Sequence, residues 1–130
     1  MLTVGDRAER TFLVTDEKLE QFGAASEDRN PVHFDEEFAA STRFGGRIAH
    51  GMLTAGFIST MVGMELPGPG TIYVSQSLRF RAPVRPGDEV RVVVQVTAIE
   101  EGRGRATLST EAFVGDRCVV SGEATVLVPA

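Results

Sequence analysis

With 130 residues, 42% of them apolar and 24% charged, the chain has room for one domain with its own core, and its composition is that of an ordinary globular protein. A formal charge of -5 argues against nucleic acid and anionic membrane surfaces as partners, and a single cysteine, Cys118, excludes an intrachain disulfide. The opening Met1-Leu2-Thr3-Val4-Gly5-Asp6 lacks the basic start and apolar core of a signal peptide, which makes the cytoplasm the expected compartment.

In chain order, residues 11–14 read as a short strand. Asp16 and Glu17 then suit the positive end of a helix whose apolar face is Leu19 and Phe22, with Gly23 as its stop. Pro31 keeps Asn30 extended and holds the loop carrying Asp28 and His33 away from helical geometry. Asp35 is placed to cap a short helix through Phe38 and Ala39, closed by Gly45-Gly46.

Residues 51–64 contain Met52, Leu53, Ala55, Phe57, Ile58, Met61 and Val62 and no Asp, Glu, Lys or Arg. A membrane span needs about 20 predominantly apolar residues, and the longest candidate, residues 48–64, is interrupted by His50, Gly51, Thr54, Gly56, Ser59, Thr60 and Gly63. It reads as a helix covered on nearly every side. After Pro67-Gly68-Pro69-Gly70, residues 72–81, 89–99, 105–114 and 118–128 are β-rich runs. Val90, Val92, Val94 and Val96 mark one apolar strand face, and Gly115-Asp116, residues 101–104 and residues 83–88 supply the turns. The expected fold is α+β: one domain over residues 1–130, an antiparallel sheet wrapped around a long central helix.

Chemistry concentrates between Asp28 and Ser59. Asp28 and His33 flank Asn30-Pro31, a bend that brings a carboxylate and an imidazole to one water. Considered alone, such an Asp more often caps a turn and such a His more often packs in a core. Gly51 either eases a tight helix entry or offers its N–H to an oxygen gaining charge, and His50 beside it caps or packs. Ser59, two turns on, either bonds back to the helix or holds Asp28 in position. Two histidines without paired acidic spacing make a poor metal site, so none is expected. Cys118 reads as a packed thiol within a strand. Arg79 and Arg81 share a strand face, either as phosphate contacts or as a solvated edge.

Taken together, Asp28-x-Asn30-Pro31-x-His33, Arg47-Ile48-Ala49-His50-Gly51-Met52-Leu53, Ser59, Pro67-Gly68, Gln76-Ser77-Leu78-x-Phe80, Pro83-Val84, Gly87-Asp88 and Gly122-Glu123-Ala124 resemble the MaoC-like hot-dog proteins. The likeness is greatest to the (R)-specific enoyl-CoA hydratases that supply polyhydroxyalkanoate precursors. The resemblance implies a hot-dog fold and a homodimer in which the two sheets join edge to edge. It implies Asp28 and His33 as the catalytic pair, Gly51 as oxyanion donor, and Ser59 and Asn30 in support. The substrate it implies is an acyl-CoA thioester, with coenzyme A part of the substrate and no separate cofactor. Rival expectations are a MaoC-like dehydratase acting on carrier-protein or unusual acyl thioesters, a hot-dog thioesterase, and a non-catalytic acyl-CoA-binding module.

Overall fold

The computed structural model describes residues 1–129. Strand β1 (Arg7–Leu13) leads into helix α1 (Asp16–Ser26), two short helices α2 (Pro31–Phe34) and α3 (Glu36–Ala40), and the central helix α4 (Gly51–Thr60). A π-helical turn, Met61–Glu65, continues α4, and strands β2 (Ile72–Phe80), β3 (Glu89–Glu100), β4 (Arg105–Val114) and β5 (Arg117–Leu127) follow. The strands form one antiparallel sheet in the order β1-β3-β4-β5-β2, which packs against α4 in the hot-dog arrangement.

Alternation in β3 works as its pattern demands. Val90, Val92, Val94 and Val96 are buried, joined in the core by Leu108, Ala112, Val120, Ala124 and Val126 of β4 and β5. From α4 and its extension come Leu53, Phe57, Ile58, Met61 and Val62, with Phe57 stacked on Phe12 of β1 at 4.6 Å between centroids.

Three expectations need correction. Gly23 does not stop α1, which runs three residues further and ends where Glu27 turns left-handed at φ 66°. The glycine is required for contact instead: a Cβ there would lie 2.8 Å from the Phe34 ring. Second, His33 is not on an extended loop. Asn30 is extended as Pro31 demands, but its side chain accepts from Val32 N–H and caps the single helical turn α2 that carries His33. Third, the sheet does not cover α4 all round, because Met52, Gly56 and Ser59 form an exposed stripe at helical spacing. Nothing lies within 4 Å of where a side chain on Gly56 would begin.

The irregular segment between α3 and α4 is tied to the turn before β3. Arg85 donates to the carbonyls of Phe44 (2.6 Å) and Arg47 (3.4 Å), and Ala49 N–H donates to Val84 O at 2.6 Å. Asp88 in turn accepts from Arg85 N–H. No helix among the described residues is long and apolar enough to cross a membrane.

Candidate active site

Both histidines of the chain meet at one place, although seventeen positions separate them in sequence. Their rings stack with centroids 3.8 Å apart and planes inclined by 27°. Side-chain atoms of Asp28, His33 and His50 all lie within 4.8 Å of one another. The left-handed Glu27 brings the chain out of α1 and delivers Asp28 to this cluster, a non-glycine positive φ at a functional turn. Asp28 N–H donates to Ser26 Oγ, and the Asp28 carboxylate accepts from Asn30 N–H at 3.1 Å. Asn30 therefore supports the carboxylate through its backbone while its side chain caps α2.

His33 is buried, and its Nδ1 lies 2.8 Å from the Ile48 carbonyl oxygen. A carbonyl oxygen only accepts, so the neutral ring carries its proton on Nδ1 and leaves Nε2 as a bare base. Arg47 fixes the same turn from behind, donating from Nε to His33 O and from Nη2 to Asp16, both at 2.8 Å. Burial holds the His33 pKa below its ordinary 6.5 and His50 adds to that, against the Ile48 hydrogen bond and the Asp28 carboxylate, which raise it. The pair is thus an exposed carboxylate beside a buried, unprotonated imidazole, spaced so that one water can hydrogen-bond to both.

Gly51 opens α4. Its N–H has no partner among the described residues and points from the positive end of the helix. It lines a cavity of about 420 Å³ whose walls include Phe44, Ile48, Met52, Phe80 and Val84. A Cβ on Gly51 would lie 2.7 Å from the Phe80 ring, so glycine is needed for the ring to lie against the helix start. Asp28 and His33 do not line this cavity; the two halves of the site join at His50-Gly51.

Within the chain, Ser59 makes no hydrogen bond to Asp28. It sits exposed on α4, eight residues beyond Gly51, or roughly 12 Å along the axis at helical rise. Arg81 is exposed and donates to Ser121 Oγ at 2.8 Å, while Arg79 is exposed without such a bond. Cys118 is half-buried and donates to Val120 O, as a packed thiol does. The expectation that two histidines make a poor metal site overlooked this convergence, which brings one possible ligand atom from each of Asp28, His33 and His50 within 4.8 Å of the others. His50 packs, as one of its two expected readings had it, but sequence reasoning missed that it does so against His33 and Asp28; its signal was its place between Ala49 and Gly51 as one of only two histidines.

Known proteins share this fold. The family described as "MaoC like domain" matches residues 4–114. A 3-hydroxybutyryl-CoA dehydratase of Methylorubrum extorquens is 55% identical over 108 residues, covering 83% of this chain and 69% of that protein. An (R)-specific enoyl-CoA hydratase of Rhodospirillum rubrum is 47% identical over 126 residues, covering 97% and 88% respectively. Among solved structures, the (R)-hydratase from A. caviae involved in PHA biosynthesis superposes with a TM-score of 0.95 at 46% identity, covering 98% of both chains. With the family match spanning most of the chain and near-half identity extending over almost all of it, the chain belongs to the MaoC-like family.

Proposed function

We propose that this protein is an (R)-specific enoyl-CoA hydratase, a hydro-lyase adding water to trans-2-enoyl-CoA in fatty acid metabolism or polyhydroxyalkanoate precursor supply. The observation that carries this is the Asp28 carboxylate beside the bare Nε2 of His33, with His50, stacked on His33, leading directly into the unpartnered N–H of Gly51. The names of the relatives support it.

Each group has a defined task. C3 of the enoyl thioester is electrophilic, and a water held by Asp28 and His33 attacks it with its oxygen. The water's proton passes to the Asp28–His33 pair as the C3–O bond forms. The displaced π electrons move through C2 onto the thioester oxygen, where Gly51 N–H at the helix start stabilises them. One such donor is worth about 2.7–4 kcal/mol in rate. The enolate then collapses as the pair returns a proton to C2 on the same face, which gives syn addition and restores the pair. Coenzyme A enters and leaves as part of substrate and product, and no separate cofactor takes part.

A homodimer in the cytoplasm completes the reading. Edge strand β2 exposes Ile72, Tyr73, Val74 and Phe80, and α4 exposes Met52 beside the site, an apolar surface that a second copy would cover.

The test is loss of enoyl-thioester absorbance with crotonyl-CoA, followed by chiral analysis of the product. (R)-3-hydroxybutyryl-CoA is the expected product. Release of free thiol instead would indicate a thioesterase, and turnover confined to carrier-protein thioesters would indicate a dehydratase of that class. Asp28→Asn and His33→Gln should each lower turnover by roughly 10²–10⁴-fold, the usual worth of a positioned acid–base group, with the melting temperature little changed. Wild-type turnover by either folded variant defeats the assignment.

A further inference from the structure

His50 is 2% exposed and lies in a socket of rings: His33 stacked against it, Phe22 at 4.8 Å and Phe34 at 5.5 Å between centroids. Its Nε2 is 3.1 Å from the main-chain oxygen of Asp28. That oxygen only accepts, so Nε2 carries a proton. Nδ1 is then the lone-pair nitrogen, buried and with no hydrogen-bond partner among the described residues.

Filling the socket does not explain this choice of residue. Phenylalanine or leucine would pack there without an unpaired buried nitrogen, which is destabilising. What an imidazole adds is a donor to Asp28 and a flat polar ring against His33, and those are the two members of the acid–base pair. Asp28 is exposed, so its main chain has little packing to fix it. His33 is tied at Nδ1 to Ile48, and the stacked ring constrains its plane.

We propose that His50 is a positioning residue of the hydration site, its Nε2–H holding the Asp28 main chain and its ring face holding the plane of His33, so that carboxylate and base meet one water. The same residue precedes Gly51, so a single side chain sets acid–base pair and oxyanion donor in register. This rests on the hydratase reading above.

Three variants separate the two contacts. His50→Gln keeps a donor at the reach of Nε2, His50→Phe keeps the ring and loses the donor, and His50→Leu loses both. With crotonyl-CoA, kcat should fall roughly 10–100-fold in His50→Leu, the range seen for misplaced catalytic groups, while KM stays within about threefold. His50→Gln should recover part of kcat and His50→Phe less, and melting temperatures should not follow that order. Wild-type kcat in folded His50→Leu overturns the proposal, as does a loss of kcat that simply tracks melting temperature across all three. A second readout uses the unaltered protein. Imidazole nitrogen NMR at neutral pH should show His50 as the Nε2–H tautomer, and the Nδ1–H tautomer overturns the proposal even if the variants fail to fold. Absence of hydration by the wild type would sink the hydratase reading instead, leaving the tautomer measurement intact.

Discussion

The two edges of the sheet are made of different material. β1 presents Arg7, Glu9 and Arg10, with Glu9 accepting from both Arg7 and Arg91. β2 at the opposite edge presents Ile72, Tyr73, Val74 and Phe80, all exposed. Unpaired ladder groups on an edge invite another strand, and charges are the common way to refuse it. β1 carries three exposed charges and β2 only one, Arg79. The end of β2 also places Phe80 over Gly51, so the open edge and the start of α4 meet at one side chain. An interface built on β2, as proposed above, would therefore lie on the Gly51 side of the molecule.

Giving β2 the character of β1 tests this most severely. Val74→Lys should convert a dimer to a monomer in analytical ultracentrifugation, with hydration falling alongside. A dimer that persists with full activity would place the interface elsewhere. Acid probes the buried half of the site with a smaller effect. His33 has a folded pKa below 6.5, so below 6.5 the unfolded chain binds a proton that the folded chain does not. Stability from this residue is complete above 6.5 and is lost as pH falls through the folded value. The acid limb of kcat/KM should accordingly lie below 6.5, and a limb above it contradicts a buried neutral base. The least effect is expected at the charged edge. Glu9→Ala removes two exposed ion pairs and should cost about 0–1 kcal/mol in denaturant titration, with no change in assembly.

How far the sequence could be read follows from how local each determinant is. The valine alternation of β3 and the Asp35 cap of α3 were legible because period and capping act over a few residues. Gly23 was misread because its reason is Phe34, eleven positions away, pressing on the helix. The uncovered stripe of α4 was invisible because apolar content says that a face wants burial and not whether one chain supplies it. In the site, spacing alone left Asp28 and His33 as a turn cap and a core residue, and it was the resemblance of the combined motifs that singled them out. The partners of His50 could not be read, since they depend on α1, α2 and α4 converging. Ser59 shows the converse: a residue that resemblance assigns to Asp28 lies exposed and unbonded to it in the single chain.

The Arg85 clasp has a consequence for how the site endures in a cell. Between α3 and α4 the chain has no regular structure, yet the carbonyls of Phe44 and Arg47 are held by one guanidinium and Ala49 is bound to Val84. Trypsin-like proteases cut after arginine in segments that can open locally, and Arg43 and Arg47 are both present here. A segment tied at both ends offers such an enzyme no free length to thread. The link running into α4 should therefore resist cleavage as a closed element while remaining irregular in form.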